Sequence, residues 1–221
     1  WDDEPFEVIV SNPPYSIKWE GDGNATLIND PRFAPAGVLA PKSKADLAFT
    51  MHILSWLAVD GTAAIVEFPG VLYRGGAEQK IRQYLIDNNY VDAVIQLPPD
   101  LFFGTSIIIL KKSKSDNAVL FIDASAEFVR NGNKNKLTAD NQRKILDAYA
   151  ERKDIEHFAR LVDAEKIAGN SYNIAVSSYV AQKDEREAID IVRLNAEIAE
   201  IVERQAALRT QIDAIVAELE G

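Results

Sequence analysis

The sequence predicts an α/β fold in which a mainly parallel β-sheet has helices on both faces and a long helix follows it. Short apolar runs alternate with helical stretches between residues 6 and 122, which is typical of sheets built from right-handed β–α–β crossovers. The last part of the chain instead repeats apolar residues every three or four positions, as helices that pair with other helices do. We therefore expect a sheet domain over residues 1–128, a helical and irregular extension over 129–183, and a long helix over 184–221.

The first predicted element is a buried strand that contains Val8, Ile9 and Val10 and ends at the rigid turn Asn12-Pro13. A buried parallel strand needs a neighbour on each side. We therefore expect either that later strands supply both neighbours or that the chain is the downstream part of a longer protein. The segment from Pro14 to Lys44 is rich in Gly, Asn, Asp and Pro, and we interpret it as a long functional loop.

The remaining elements of the sheet domain alternate between helix and strand. Leu47, Met51, Leu54 and Ala58 have helical spacing. Further strands, helices and loops are predicted as follows: a strand over 62–68, a helix over about 77–88, strands over 91–97, 107–110 and 119–122, a polar loop over 129–136 and a surface helix over 138–152. We expect the late strands to form an antiparallel edge of the sheet.

The C-terminal segment predicts one long helix with a continuous apolar seam. Asp184 and Glu187 fit a capping box that starts the helix at about Glu185. Roughly 35 helical residues would span about 50 Å, which is more than so small a domain covers, although a helix folded back on its own domain remains an alternative. Only Gln205 interrupts the seam. Its apolar members are Ile191, Leu194, Ile198, Ile201, Leu208, Ile212, Ile215 and Leu219.

The composition limits the kinds of site that the chain can build. It has no Cys, and its only histidines are His52 and His157, which excludes thiol nucleophiles and multi-His metal sites, so we expect no metal. The net charge of -10 argues against a chain that grips nucleic acid unaided. Neither a signal peptide nor an apolar run of about 18 residues occurs, and we expect a cytoplasmic protein without membrane contact.

The strongest chemical signal is the tetrapeptide Asn12-Pro13-Pro14-Tyr15 directly after an apolar strand. An exocyclic amine of a base is a poor nucleophile because its lone pair is delocalised into the ring. The Asn12 side-chain oxygen and the Pro13 carbonyl can each accept one amine hydrogen, which leaves the lone pair free to attack a methyl group. Prolines hold these acceptors rigidly, and Tyr15 offers a flat face on which an extruded base can stack.

This tetrapeptide resembles the motif of amino-group methyltransferases that use S-adenosylmethionine, and longer segments narrow the resemblance. Together they are similar to the modification subunit of type I restriction–modification systems, from about residue 5 to the C-terminal end. The segments are Asn12–Trp19, Phe33–Asp46, Phe68–Gly76, Leu101–Thr105, Ser171–Asn173 and Val176–Val180. The resemblance implies a Rossmann-like S-adenosylmethionine-dependent methyltransferase sheet and an adenine-N6 DNA methyltransferase activity.

The resemblance also implies roles for individual residues. Asn12, Pro13, Pro14 and Tyr15 would form the catalytic motif. A second aromatic wall for the base would come from Phe103 or Phe102, with Phe103 favoured, and Phe49 matches a position that lines the cofactor's adenine pocket; ordinary core packing is the alternative for all three. Basic residues near the site can contact DNA phosphates or remain solvated surface charges. These are Lys42, Lys44, Arg74, Lys80 and Arg82.

Two departures from the family pattern stand out. The glycine-rich Phe-x-Gly-x-Gly turn that holds the cofactor's methionine part, and an N-terminal helical domain, normally precede the tetrapeptide, and Gly21-x-Gly23 follows no strand and does not replace that turn. We therefore expect the C-terminal portion of a modification subunit, inactive by itself. The loop between Thr105 and Ile107 is also about four residues shorter than usual, which leaves the placement of Phe103 open.

The resemblance implies partners as well. The modification subunit acts with a specificity subunit, a second modification subunit, a restriction subunit and double-stranded DNA, and we assign the C-terminal seam to the contact with the specificity subunit. Two other functions remain open. The chain can be a fragment of a protein-glutamine methyltransferase, which shares the tetrapeptide, or a non-catalytic assembly module.

Overall fold

A computed structural model describes residues 4–101, 105–183 and 191–220. The chain divides into two units, Trp1–Gln182 and Lys183–Gly221. The described elements of the first unit are β1 (Phe6–Ser11), α1 (Asp46–Trp56), β2 (Leu57–Glu67), α2 (Ala77–Asp87), β3 (Val91–Gln96), β4 (Ser106–Lys111), β5 (Ala118–Asp123), β6 (Val129–Asn131), β7 (Lys134–Lys136), α3 (Ala139–Glu151), β8 (Ala159–Asp163) and α4 (Ala164–Gly169). The second unit contains α5 (Ile191–Glu220).

Six strands form one sheet in the order β1-β2-β4-β3-β5-β8. The pairings make β1, β2, β3 and β5 run in one direction and β4 and β8 in the other. The α/β class is confirmed, but the sheet is mixed rather than mainly parallel, because only two of the five strand pairings in the described residues are parallel. The late antiparallel strand β4 does not lie at an edge, however, because it pairs with both β2 and β3. The short connection from β3 to β4 leaves no room for a parallel crossover, so β4 turns back beside β3.

Helices cover both faces of the sheet, as the alternation predicted. In β4, Ile108 and Leu110 belong to one buried core and Ile109 to the other, because successive side chains of a strand point to opposite faces. Helices α1, α2 and α4 contribute to the first core and α3 to the second. The strand β8 pairs antiparallel with β5, so residues 159–163 belong to the same sheet as the earlier strands.

The first strand is less buried than the sequence predicted. Val8 and Val10 are 71% and 81% exposed, whereas Ile9 packs against the first core. Within the described residues, β1 pairs only with β2 and lies at the edge of the sheet. The prediction of a buried strand is therefore wrong for one face of β1, because no described element covers that face.

Two further predictions about local structure are corrected. The helix α1 ends at Trp56, and Ala58 lies in β2 rather than in the helix; α1 is apolar on nearly every side, so helical spacing could not mark its end. Residues 129–136 form the hairpin β6–β7 instead of a loop. Its two-residue turn places Gly132 at a φ of 61°, a conformation that glycine adopts without strain.

The surface helix predicted over residues 138–152 is present as α3. Thr138 and Asn141 form a reciprocal capping box at its start, which satisfies backbone groups that the first helical turn leaves unpaired.

The second unit consists of the long helix α5, 30 residues in length. Every apolar seam residue predicted above lies in it and is exposed, from 46% at Leu194 to 81% at Leu219. The predicted capping box of Asp184 and Glu187 lies outside the described residues. No helix in the described part of the chain is long and apolar enough to cross a membrane.

Candidate active site

The candidate site lies at the edge of the sheet where the parallel strands have their carboxyl ends. Loops that follow β1, β3 and β5 start at this edge, and such edges are where open α/β sheets bind ligands. A cavity of about 530 Å³ opens there. Its lining residues are Asn12, Pro13, Pro14, Tyr15, Asp100, Leu101, Asn133 and Lys134. The fold thus brings the predicted tetrapeptide together with the loop after β3 and the tip of the β6–β7 hairpin.

Within the tetrapeptide, the Tyr15 hydroxyl donates a hydrogen bond of 2.8 Å to Asn12 Oδ1. Pro13 is buried, Tyr15 is half-buried, and Asn12 and Pro14 are exposed. The Asn12 carbonyl oxygen has two lone pairs, so it can accept a second hydrogen bond while Tyr15 holds it in place. The arrangement therefore offers an oriented acceptor at the cavity wall.

The turn after the tetrapeptide is fastened to the first turn of α1. Ser16 has a φ of 50°, and its backbone N–H donates to Asp46 Oδ1 at 2.8 Å. The Ala45 N–H donates to the Ile17 carbonyl at 2.9 Å. Asp46 is only 1% exposed. A hydrogen bond to a buried carboxyl group thus holds a left-handed backbone turn beside the site.

A buried acid, Glu67, lies at the end of β2. The Thr50 hydroxyl donates to Glu67 Oε1 at 2.6 Å, and Oε2 has no hydrogen-bond partner among the described residues. Burial raises the pKa of Glu67 to about 8, and the charges of Asp46 and Glu78 act in the same direction. Burial and the Glu67 charge raise the pKa of Tyr15. Glu67 therefore retains a proton at neutral pH.

We expect Glu67→Gln to remove a pH-dependent loss of stability. The pKa of Glu67 is about 8 in the folded protein against an ordinary value of 4.5, so the folded state binds the proton more tightly and wild-type stability falls as the pH rises between these values. The free energy of unfolding should fall by about 1–3 kcal/mol between about pH 6 and pH 8 in the wild type and stay nearly level in Glu67→Gln. Urea unfolding at both pH values measures this, and the exposed Glu151→Gln variant should keep the wild-type slope. Equal slopes in Glu67→Gln and the wild type would contradict the expectation.

The predicted aromatic and cofactor-binding residues have different outcomes. Phe102 and Phe103 lie outside the described residues. Phe49 is half-buried in α1, on the helix face that continues through His52, Ile53 and Trp56. These three α1 residues, with β1, line a hollow of about 330 Å³. The Phe6 ring stacks on Trp56 with centroids 5.8 Å apart. His52 Nδ1 is buried without a hydrogen-bond partner among the described residues, and burial lowers the pKa of this imidazole.

One residue predicted as a possible phosphate contact is excluded. Arg82 is 1% exposed and donates to the carbonyls of Val71 and Tyr172, each at 2.7 Å. It therefore connects α2 to the segments that contain Val71 and Tyr172. A buried guanidinium needs hydrogen-bond acceptors for its N–H groups, because no water is available to them. Lys80 is exposed, and Arg74 forms an ion pair of 2.9 Å with Glu78.

Several residues around the cavity were not predicted from the sequence. Asp100, Asn133 and Lys134 line it, Asp46 accepts a hydrogen bond from the Ser16 N–H next to the tetrapeptide, and Glu67 is buried at the end of β2. Two signals were available: Glu67 is a lone acid at the end of an apolar strand, and the Gly132-Asn133 pair that forms the turn is a hairpin signal. Among the described residues no cluster of His, Cys, Asp and Glu is arranged to hold a metal ion.

Comparison with known proteins shows which family the chain resembles. The family model described as N-6 DNA Methylase matches residues 1–188. The methylase subunit of the type I restriction enzyme MpnII from Mycoplasma pneumoniae is 50% identical over 219 residues, which cover 97% of this chain and 40% of that protein. The MjaVII methylase subunit from Methanocaldococcus jannaschii is 33% identical over 232 residues, covering 97% of this chain and 39% of that protein.

A solved structure is also similar. The crystal structure of the type I restriction–modification methyltransferase subunit from Streptococcus thermophilus matches with a TM-score of 0.76 and 46% identity, over 80% of this chain and 38% of that chain. The chain thus spans about 40% of the length of the curated relatives it matches.

Proposed function

The chain belongs to the N-6 DNA methylase family, and from this we propose that it is part of the modification subunit of a type I restriction–modification complex. The proposed reaction transfers a methyl group from S-adenosylmethionine to the N6 amine of an adenine extruded from DNA. The observation that carries the proposal is the tetrapeptide Asn12–Tyr15 in the wall of a cavity of about 530 Å³ at the carboxyl edge of the sheet.

The proposed roles follow from hydrogen-bonding capacity. Asn12 Oδ1 and the Pro13 carbonyl would each accept one hydrogen of the adenine amine, which would leave its lone pair free to form the new C–N bond as the methyl–sulfur bond breaks. One amine proton would then be lost to water. The Tyr15 hydroxyl supports this by holding Asn12 Oδ1 at 2.8 Å, while its ring provides the stacking face. Phe103, with Phe102 as the alternative, is proposed as the second aromatic wall. Pro14 restricts the backbone between these groups.

The residues present fit the adenosine part of the proposed cofactor. The hollow beside β1 combines apolar side chains with the Trp56 ring and a buried His52 nitrogen that lacks a partner in the described part of the chain, a combination suited to a heteroaromatic ring with polar edges. Phe49 is half-buried on the same face of α1 but is not among the residues that line the hollow, and we propose it as a further contact of the adenine ring at its margin. When bound, S-adenosylmethionine supplies an electrophilic methyl group on a positively charged sulfur.

The proposed partners account for the charge of the chain. A protein with a net charge of -10 gains little from phosphate attraction by itself, so we propose that a specificity subunit selects the DNA site. A second modification subunit, a restriction subunit and double-stranded DNA complete the proposed assembly. The exposed apolar seam of α5 is the proposed contact with helices of the specificity subunit.

The test of the function uses the full-length protein with its specificity subunit, radiolabelled S-adenosylmethionine and unmethylated DNA. We expect label in N6-methyladenine, dependent on both the specificity subunit and the unmethylated site. Label in a glutamine side chain of a protein substrate would overturn the proposal in favour of a protein-glutamine methyltransferase. An intact complex without any methyl transfer would indicate an assembly module.

The hydrogen bond between Tyr15 and Asn12 predicts a graded response to substitution. Tyr15→Phe keeps the stacking ring but removes a neutral hydrogen bond, so we expect the methylation rate to fall about 3- to 10-fold. Tyr15→Ala also removes the stacking face and should lower the rate about 10- to 100-fold further. Single-turnover methylation by the full-length complex measures both, with the exposed Tyr73→Phe as a matched control. Equal rates for the two Tyr15 variants would show that the ring does not stack on the base.

A further inference from the structure

The hairpin β6–β7 is a basic element in an acidic protein. Residues 129–136 contain Arg130, Lys134 and Lys136 and no acidic residue, whereas the whole chain has a net charge of -10. Both strands are exposed apart from Asn135. A local positive charge of this kind is the electrostatic feature expected where a protein of negative net charge approaches a polyanion.

The hairpin is fastened to the loop after β3 rather than projecting freely. The buried Asn135 donates through Nδ2 to the Pro99 carbonyl at 2.5 Å, and its N–H donates to the Asp100 carbonyl at 3.3 Å. Arg130 Nη1 donates to Asn135 Oδ1 at 3.0 Å and forms an ion pair of 3.3 Å with Asp100 Oδ2. These contacts hold the hairpin tip in a defined position at the cavity.

Lys134, the first residue of β7 after the turn, lines the same cavity as Asn12 and Tyr15. Its side chain is exposed, and within the described residues it forms no ion pair, in contrast to Arg130. The charge of Arg130 is paired with Asp100 at the surface, whereas Lys134 brings a positive charge that is unpaired among the described residues to the cavity lining.

We infer that Lys134 binds a backbone phosphate of the DNA strand next to the extruded adenine. The inference rests on the proposed function and deepens it. An ammonium group has three donors and no acceptor, so Lys134 cannot share the binding of the adenine amine with Asn12. An extruded nucleotide stays linked through the phosphates on both of its sides, which must lie at the mouth of the pocket. A lysine at that mouth meets a phosphate oxygen as its natural partner.

The test compares Lys134→Ala with the wild type in the full-length complex, using an unmethylated duplex that contains the recognition site. Loss of one phosphate contact should weaken the Kd for DNA about 3- to 10-fold and lower the slope of log Kd against log salt by about 1. Lys134→Gln should behave like Lys134→Ala, and Lys134→Arg should retain most of the affinity because it restores the charge. Lys153→Ala removes an exposed lysine outside the cavity and should change neither quantity.

Each outcome decides the inference. Wild-type affinity and salt slope in both Lys134→Ala and Lys134→Gln would overturn it, as would an equal effect of Lys153→Ala. Failure of the proposed function is a separate result, since it would appear as absence of N6-methyladenine in the wild-type reaction, whereas the salt slope reports DNA contact whether or not methyl transfer occurs.

Discussion

Asn12→Ala is expected to lower adenine methylation by about a thousandfold while the complex still assembles and binds DNA. Removal of one preorganised polar group from an active site costs about 10²–10³ in rate when the contact strengthens in the transition state. In this protein the substitution removes the proposed amine acceptor and also leaves the Tyr15 hydroxyl without the partner that it contacts at 2.8 Å. Both losses disturb the geometry of the reacting amine rather than the fold, because Asn12 is exposed.

The measurement is single-turnover methylation by the full-length complex, with DNA affinity and subunit composition determined on the same samples. Asn12→Asp keeps an acceptor oxygen and should retain part of the activity. Asn117→Ala changes an exposed asparagine before β5, outside the cavity, and should leave the rate unchanged. Full activity in Asn12→Ala would show that the tetrapeptide does not bind the amine.

The second large effect is expected at the apolar seam of α5. Replacing Ile198 and Ile212 together by Asp should abolish binding to the specificity subunit. Both side chains lie on the seam and are 50% and 59% exposed. A charge at the core position of a helix pair would be buried without a partner, which costs several kcal/mol at each site. We expect no detectable complex in size-exclusion chromatography with mass determination.

The matched control places the same charges on the other side of the helix. Ala196 and Ala217 lie away from the seam in the heptad pattern, and their double replacement by Asp should leave binding intact. Helicity measured by circular dichroism should be similar in the two double variants, since each adds two Asp residues to α5. Loss of binding in both variants would contradict the assignment of the interface to the seam.

The sequence predicts much of the fold because its main signals are local. The alternation of apolar runs and helical spacing located β3, β5 and α2 within one or two residues. The same signals failed for two elements whose burial does not follow the spacing of apolar residues in the sequence. The helix α1 is buried on nearly all sides, so its end at Trp56 was missed, and β6–β7 was missed because seven of its eight residues, counting the turn, are polar or Gly.

The position of β4 and the exposure of β1 show a different limit. The sequence predicted both strands, but it predicted neither the position of β4 between β2 and β3 nor the exposure of β1. Strand order depends on which distant segments pair, and Val10 is exposed because no described element covers that face of β1. Arg82 shows the same limit for a single side chain. As a charged residue it was expected at the surface, but it is buried and donates to the carbonyls of residues 71 and 172, which are distant from each other in the sequence.

The sequence by itself predicted the long α5 with an apolar seam and the α/β class, which the structure confirms, and it is the source of the chemistry proposed for the tetrapeptide. Each of these depends on residues that are close together in the chain. Only the tertiary structure decided that Asn12 and Lys134 face one cavity and that Glu67 is buried with a pKa of about 8. Three loops meet at one edge of the sheet, and the Glu67 carboxyl group is shielded from water, because segments far apart in the sequence pack together. No local sequence pattern encodes such packing.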